Sequence, residues 1–206
     1  MPILLTGVKV TDIIFALISG RILGFLIGDF LREWGISIGL YWTLLIWFAL
    51  PIISLFCLWL AFLIGRKILF IFQAVKHLLV GAVATVFDLK IFEFLFFIFS
   101  ISIPFASIFA KSLSFIISTF LKYWGNKYWA FQKHEKEDMH KEILQFFFIT
   151  FIGLIIDVLS FYYFSKIFNS QIAIPEAIWL KFSVIFAALV AALWNFLGYK
   201  FFVFKK

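Results

Sequence analysis

The stretch GLYWTLLIWFALPIISLFCLWLAFLIG, residues 39–65, contains no charged side chain. An α-helix rises about 1.5 Å per residue and the hydrocarbon core of a bilayer is about 30 Å thick, so roughly 20 apolar residues are enough to cross it. This stretch therefore predicts a transmembrane helix. Pro51 within it predicts a kink that neighbouring helices must accommodate.

The same test selects five further stretches, residues 10–31, 77–100, 105–127, 143–166 and 177–201. Apolar residues make up 65% of the chain, against roughly 45 to 50% in soluble domains, and charged residues only 14%, against roughly 25%. This composition excludes a water-soluble globule and predicts an all-α, polytopic membrane helical bundle. Nucleic acid is not an expected partner despite the net charge of +7, because no sizeable water-exposed domain presents a basic face.

Residues 10–31 leave two interpretations open, because Arg21 lies near the middle of the stretch. Gly20, Gly24 and Gly28 recur at every fourth position. Such a stripe of small residues lets another helix approach closely in lipid, which favours a true span. The alternative is an amphipathic helix that lies in the membrane interface.

The distribution of basic residues predicts the orientation, because short cytoplasmic loops accumulate Lys and Arg. Three regions are basic: Arg66, Lys67 and Lys76; Lys122, Lys127, Lys133, Lys136 and Lys141; and Lys200, Lys205 and Lys206. The alternate loops, residues 100–104 and 168–175, carry no basic residue. We therefore expect a multi-pass protein of the cytoplasmic (inner) membrane whose C terminus is cytoplasmic.

An internal duplication is visible when the chain is compared with itself. Residues 84–92, ATVFDLKIF, align with residues 153–161, GLIIDVLSF, at an offset of 69, with Asp and Phe identical. Farther along, residues 127–131, KYWAF, align with residues 200–204, KFFVF, at an offset of 73. The conserved order and nearly constant spacing of these matches indicate two repeats.

The repeats cover residues 73–131 and 142–204, and each contains one helical hairpin. Because each has two spans, the second enters the membrane from the same side as the first, so we expect parallel repeats. Substrate sites in proteins with repeats form at the interface between the halves. The predicted organisation is an N-terminal extension, residues 1–70, with one or two membrane helices, followed by a four-helix membrane domain, residues 71–206.

Four motifs make this domain similar to a known family. They are FQAVKHLLVG at residues 72–81, ATVFDL at 84–89, YWGNKYWAF at 123–131 and WNFLGYKFFVF at 194–204. In these motifs the chain resembles the GtrA-like proteins, which are small membrane proteins with four spans. A related four-span domain is fused to some polyprenol-phosphate mannose synthases. The resemblance implies a role with polyprenyl-phosphate-linked sugars in the modification of cell-surface polysaccharides.

Ionisable residues inside the predicted spans need an explanation, because a charge at the bilayer centre costs about 2.5 to 3.5 kcal/mol on insertion scales. They are Asp88, Lys90, Glu93 and Lys111 in the first repeat, and Asp157 and Lys181 in the second. Helix rise places Asp88 and Lys111 at heights that differ by only about 4 to 6 Å, and likewise Asp157 and Lys181. Either a lysine leaves its carboxylate to bind a phosphate, or the pairs only neutralise each other and hold the helices together. Lys90 and Glu93, three residues apart, predict a local ion pair.

Residues at the inner membrane boundary are candidates for the substrate entrance. Asn126 and Lys127, with Lys200 at the corresponding position of the second repeat, supply amide and ammonium donors that match phosphate oxygens. Tyr128 and Trp129 are typical of aromatic anchors at the boundary between headgroups and acyl chains. The loop of residues 132–142 mixes acids, cations and two histidines six positions apart, which predicts a solvated loop instead of a metal site.

The resemblance makes flipping of a polyprenyl-phosphate-linked sugar across the cytoplasmic membrane the leading functional hypothesis. The substrate-binding residues would be Asp88, Lys111, Asn126, Lys127, Asp157, Lys181 and Lys200. The alternatives are a non-transporting scaffold that recruits or positions a polyprenyl-phosphate glycosyltransferase, and a small ion or solute carrier. A glycosyltransferase and a second copy of the chain are the candidate protein partners. No enzymatic activity, metal or other cofactor is expected, because no nucleophile elbow, glycine-rich phosphate loop or zinc signature occurs.

Overall fold

The computed structural model describes residues 8–33, 39–99, 106–134, 138–168 and 176–205. In these residues the chain forms six α-helices: α1 Val10–Glu33, α2 Leu40–Gly65, α3 Leu69–Phe99, α4 Ala106–Trp124, α5 Met139–Tyr162 and α6 Glu176–Gly198. Short π-helical segments follow α4, α5 and α6 at Gly125–Ala130, Tyr163–Phe168 and Tyr199–Val203. Each predicted span overlaps one of these helices, and the prediction of an all-α membrane bundle is confirmed.

Four stretches of the described helices are long and apolar enough to cross a membrane: Val10–Gly28, Leu40–Gly65, Met139–Tyr162 and Phe186–Val203. Their large apolar side chains remain extensively exposed, as at Phe48 of α2 and Phe148 of α5. Exposure of this kind suits helices whose outer faces meet hydrocarbon, where the backbone bonds are satisfied inside each helix. By length and composition, α1 is therefore suited to the spanning interpretation.

Helices α1 and α2 approach closely at the glycine stripe. A Cβ atom added at Gly20 would lie 2.5 Å from Cα of Pro51, and one added at Gly24 would lie 3.6 Å from Cδ1 of Leu50. At Gly28, in contrast, an added Cβ would meet no atom within 4 Å. Of the three glycines, Gly20 therefore permits the close helix contact that the pattern predicts, Gly24 leaves room for a Cβ at ordinary contact distance, and Gly28 does not take part.

Arg21 has a structural role in the same helix pair. Pro51 lacks the N–H group that would bond to the carbonyl of Trp47 one turn earlier in α2. The guanidinium of Arg21 donates to this carbonyl, with Nη1 and the oxygen 2.8 Å apart, and lies 3.4 Å from the centroid of the Trp47 ring. A carbonyl without a partner is costly in lipid, so this contact accounts for a charged residue in the middle of an apolar helix.

The chain divides into two compact units, Met1–Gln132 and Lys133–Lys206. The first contains α1 to α4, and its apolar core joins α1, α2 and α3 through Ala16, Leu58, Ala61 and Phe72. The second contains α5 and α6, which form a helical hairpin. The N-terminal helices thus share one unit with the α3–α4 hairpin.

The α3–α4 and α5–α6 hairpins contain corresponding glycine contacts. In the first hairpin, a Cβ added at Gly125 would lie 2.8 Å from Cγ1 of Val80. In the second, a Cβ added at Gly198 would lie 2.5 Å from Cγ2 of Ile149. The glycines are related by the offset of 73 and their partners by the offset of 69, the two offsets of the predicted duplication.

The π-helical segments that end the two hairpins also correspond. The backbone amide of Phe131 donates to the carbonyl of Asn126 at 2.9 Å, and that of Phe204 donates to the carbonyl of Tyr199 at 2.7 Å. Both bonds join residues five apart, at positions related by the offset of 73. These contacts support the predicted duplication, while the parallel arrangement of the repeats stays a prediction.

Candidate functional site

Buried polar side chains collect in the first unit, where the beginning of α3 meets the π-helical segment after α4. Lys76 and His77 of α3 and Asn126 and Lys127 of the π-helix are all buried, with Lys76 1% and Lys127 0% exposed. Lysine is almost never fully buried unless it is paired. The partners of these side chains therefore define what this region can do chemically.

Lys76 forms a buried ion pair with Asp12 of α1. The distance from Nζ to Oδ1 is 2.6 Å, and Nε1 of Trp129 donates to the same oxygen at 2.8 Å. The ring of Phe15 stacks on Trp129 with the centroids 5.0 Å apart. Asp12 lies in the first turn of α1, where the helix dipole favours a carboxylate, and its Oδ2 accepts a bond from the amide of Lys9 at 3.3 Å.

His77 and Asn126 join α3 to the π-helical segment. The Nδ1 atom of His77 and Oδ1 of Asn126 are 2.8 Å apart, and Nδ2 of Asn126 donates to the carbonyl of Lys122 at 2.7 Å. Because the amide nitrogen of Asn126 donates to Lys122, the amide oxygen is the acceptor in the bond with His77, and His77 donates from Nδ1. The bonds hold Asn126 in a fixed orientation next to Lys127.

Lys127 is buried beside an aromatic ring. Its Nζ donates to the hydroxyl of Tyr123 at 3.3 Å and lies 5.7 Å from the ring centroid. The neighbouring Tyr128 is 40% exposed, whereas Trp129 is 6% exposed. The interpretation as a boundary anchor therefore suits Tyr128 and is wrong for Trp129, whose indole is used inside the protein.

The second unit places different chemistry at the corresponding positions. Phe146 and Tyr199 take the places of His77 and Asn126, and their rings stack with centroids 4.0 Å apart and planes at 14°. The half-buried Lys200, the counterpart of Lys127, lies 5.9 Å from the centroid of the Phe196 ring. An aromatic stack thus replaces the polar contact of the first unit.

The charged residues predicted within the spans occupy four helices. Asp88 of α3 is half-buried and accepts a bond from Oγ of Ser114 on α4 at 2.7 Å. Asp157 is half-buried on α5. Lys111 and Lys181 belong to α4 and α6, but their side chains lie outside the described part of the structure. The pairing of Asp88 with Lys111 and of Asp157 with Lys181 stays a prediction.

Two further ion pairs involve residues considered from the sequence. Lys90 and Glu93 are 2.9 Å apart and exposed, so the predicted local pair on α3 is confirmed. Glu142, placed in a solvated loop by the sequence, is buried in the first turn of α5 and lies 2.7 Å from Nζ of Lys133. The loop prediction is wrong at that position.

Within the described residues, no three His, Cys, Asp or Glu side chains are grouped as a metal site.

The sequence did not identify Asp12, Lys76 or His77 as site residues, although Lys76 contributed to the predicted orientation and to the motif of residues 72–81. Asp12 and Lys76 are 64 residues apart, so no helical or local spacing relates them. His77 stands beside Lys76 in the motif of residues 72–81, but its partner Asn126 lies in another motif. Only the packing of α1 against α3 and of α3 against the π-helix reveals these contacts.

The fold and these buried charges define a multi-pass helical membrane protein that holds cationic side chains inside a helical hairpin. The family model described as GtrA/DPMS, transmembrane domain, matches residues 76–204, more than half of the chain. The protein belongs to this family, which indicates a role in handling polyprenyl-phosphate-linked sugars. No curated protein and no solved structure matches the chain. The match begins at Lys76, so Asp12 and the helices α1 and α2 lie outside it.

Proposed function

We propose that the protein flips a polyprenyl-phosphate-linked sugar across the cytoplasmic membrane, for the glycosylation of cell-surface polysaccharides. The observation that carries the proposal is the burial of Lys127, 0% exposed, beside the buried Asn126 in a domain of a family that handles such lipids. Cations inside a membrane domain are costly and usually face a partner, a cavity or a substrate. A phosphodiester supplies anionic oxygens that ammonium and amide groups bind.

In this proposal the phosphate enters at Asn126 and Lys127. The bonds from His77 and to the carbonyl of Lys122 orient the Asn126 amide before the substrate arrives. Such preorganisation reduces the entropy that binding must overcome. The polyprenyl tail stays in lipid, along the exposed apolar faces of the helices.

Asp88 of the first repeat and Asp157 of the second continue the proposed path of the headgroup, with Lys111 and Lys181 as their cationic partners. Each carboxylate holds a lysine while the site is empty, and the lysine moves to the phosphate when substrate is present. The bond from Ser114 holds one Asp88 oxygen in place during this exchange. Lys200 binds the phosphate in the second repeat, as Lys127 does in the first. No covalent step and no cofactor is involved, so under this proposal the protein is not an enzyme.

A second candidate function is a non-transporting scaffold that recruits or positions a polyprenyl-phosphate glycosyltransferase. The pairing of Lys76 on α3 with Asp12 on α1 favours it, because charges neutralised within the chain can serve to hold helices together. A scaffold would keep its partner after loss of the membrane aspartates, whereas a flippase would lose its activity.

Reconstitution tests the two functions directly. Vesicles containing the purified protein and a radiolabelled polyprenyl-phosphate sugar are treated with a membrane-impermeant reagent that modifies the sugar. Flipping by the protein makes the inner-leaflet label accessible, whereas vesicles without protein expose only the outer leaflet. We expect Asp88→Ala with Asp157→Ala, and separately Lys127→Met, to abolish the additional accessibility.

Glu93→Gln is the matched control, since it breaks an exposed ion pair on the same helix as Asp88. We expect this variant to flip as the wild type does. Full flipping by the double aspartate variant would refute the proposed path. The scaffold would be established instead if the wild type did not flip the lipid and if a glycosyltransferase copurified both with the wild type and with the double aspartate variant.

A further inference from the structure

Lys76 and Trp129 direct two donors at a single oxygen atom. Nζ of Lys76 lies 2.6 Å and Nε1 of Trp129 lies 2.8 Å from Oδ1 of Asp12, and all three side chains are buried. Donors that converge on one anionic oxygen are the arrangement by which proteins bind carboxylates and phosphates. The two side chains therefore form an oxyanion site, which Asp12 fills in this structure.

The donors and the anion come from different parts of the chain. Lys76 and Trp129 lie within residues 76–204, the range that matches the family, whereas Asp12 belongs to α1, outside that range. The family domain thus supplies the two donors, and the N-terminal extension supplies the group that occupies them. A domain of this family that lacked α1 would present both donors to another anion.

Lys76 retains favourable contacts when Asp12 leaves. Its Nζ lies 4.3 Å from the ring centroid of Phe72 and 5.6 Å from that of Trp129, within the range in which an ammonium is attracted to an aromatic face. These rings keep the ammonium at the site during an exchange of anions.

Asp12 also retains favourable contacts after displacement. It is the third residue of α1, where the helix dipole and the amide of Lys9 stabilise the carboxylate independently of Lys76.

We propose that Lys76 and Trp129 form a phosphate-binding subsite, and that Asp12 is an internal competitor which the phosphate group of a polyprenyl-phosphate lipid displaces. The subsite rests on the substrate class of the proposed function, and it does not depend on flipping. Its chemistry suits any phosphate ester or free phosphate, so the probes of the experiment must separate lipid-linked phosphate from phosphate alone.

The test measures equilibrium binding to the full chain in detergent micelles, with three probes: radiolabelled undecaprenyl phosphate, the polyprenol without phosphate, and inorganic phosphate. Asp12→Asn keeps an acceptor for both donors but removes the competing charge. Because charge-assisted hydrogen bonds are about twice as strong as neutral ones, we expect this variant to bind undecaprenyl phosphate about tenfold more tightly. The polyprenol should bind all variants equally.

Removal of the donors should cancel this gain. We expect Lys76→Met to bind undecaprenyl phosphate more weakly than the wild type, and Asp12→Asn with Lys76→Met to bind no more tightly than Lys76→Met alone. Trp129→Phe, which keeps a ring but loses Nε1, should weaken binding to a smaller extent. If inorganic phosphate bound Asp12→Asn as tightly as undecaprenyl phosphate does, the assignment to a lipid headgroup would be overturned.

Glu93→Gln is the matched control, because it removes an exposed carboxylate from its pair with a half-buried lysine on the same helix, and its affinity should equal that of the wild type. Equal affinities of Asp12→Asn, Glu93→Gln and the wild type would overturn the subsite. Thermal unfolding with and without undecaprenyl phosphate separates competition from a purely structural role. In Asp12→Asn the ligand should raise the midpoint more than in the wild type, and an equal or smaller rise contradicts the proposal.

We expect the same results for Asp12→Ser, whose new side chain is small and uncharged, and this variant replaces Asp12→Asn if the latter fails to fold.

The failure of the two proposals can be told apart. The expected binding pattern in a protein that does not flip the lipid would refute flipping and leave the subsite intact. Flipping by a protein whose affinity for undecaprenyl phosphate is the same in the wild type and in the Asp12 variants would refute the subsite and leave the flipping proposal intact.

Discussion

Phe146 stacks on Tyr199 with ring centroids 4.0 Å apart, at the positions where the first repeat bonds His77 to Asn126. The two hairpins thus keep one contact between helices but build it from different chemistry. The polar version orients an amide beside the buried Lys127, whereas the aromatic version fills the same place with apolar surface. The predicted duplication accounts for the shared position of this contact, and the side chains give it different chemistry in the two halves.

The hydroxyl of Tyr199 should stabilise the second hairpin. It lies 2.6 Å from Oγ1 of Thr150, which itself donates to the carbonyl of Phe146, so Tyr199 is the donor to Thr150. We expect Tyr199→Phe to keep the stack and to lower the free energy of unfolding by about 1 kcal/mol, as measured by denaturation in micelles. Tyr163→Phe, at an exposed position, is the control and should have no measurable effect.

The glycine stripe of α1 offers a comparison within one helix. Alanine at Gly20 would place Cβ 2.5 Å from backbone Cα of Pro51, whereas alanine at Gly28 would meet no atom within 4 Å. We expect Gly20→Ala to destabilise the protein by about 1 to 3 kcal/mol through overpacking. Gly28→Ala should be neutral or stabilise it by up to about 1 kcal/mol, because alanine favours the helix. Equal midpoints of thermal unfolding for the two variants would contradict the observed packing.

Arg21 and Pro51 should show strong thermodynamic coupling. Arg21→Leu removes the donor to the Trp47 carbonyl, and we expect a loss of about 1 to 3 kcal/mol in the free energy of unfolding. In a Pro51→Ala background, the new amide of residue 51 can donate to that carbonyl, so the same change should cost much less. A double-mutant cycle measures the difference.

The control for this cycle is Arg66→Leu, which removes an exposed arginine at the end of α2. It should cost the same in both backgrounds. Additive effects of Arg21→Leu and Pro51→Ala would show that the arginine does not replace the missing backbone bond.

Ser114 should be more important than its neighbour Ser118. Both are buried on α4, but Ser114 donates to Asp88 of another helix, whereas Ser118 donates to the carbonyl of Phe115 in its own helix. Bonds to charged groups are the stronger ones, so we expect Ser114→Ala to cost about 1.5 to 3 kcal/mol and Ser118→Ala less than about 1 kcal/mol. Chemical denaturation compares them, and a larger loss for Ser118→Ala would be inconsistent with the contact between α3 and α4.

The predicted orientation can be tested by labelling single cysteines in a Cys57→Ser background. Cysteines introduced at His134 and Lys205 should react with an impermeant reagent only from the cytoplasmic side, because the basic loops determine the topology. A cysteine at Ser102 should react only from the opposite side. Labelling of all three from one side would refute the proposed topology.

Local features of the chain were predictable because they depend on residues close together in sequence. The helices in the predicted spans follow from runs of apolar residues compared with the thickness of a bilayer. The pair of Lys90 and Glu93 follows from the three-residue spacing on one helix face. The approach at Gly20 follows from the absence of side-chain bulk, although the pattern could not show that Gly24 has room for a Cβ atom and that Gly28 takes no part.

The sequence by itself thus determined the class of protein, its helices and its family, and it predicted a duplicated hairpin, since apolar length, charge distribution and motif order are properties of the chain alone. Only the tertiary structure decided that Asp12 neutralises Lys76 and that Trp129 is buried instead of anchoring the protein. It also decided that Arg21 donates to the carbonyl of Trp47, which Pro51 leaves without a backbone partner. Each of these contacts joins different helices. Which helix faces meet depends on the packing of the whole bundle, and no local spacing encodes it.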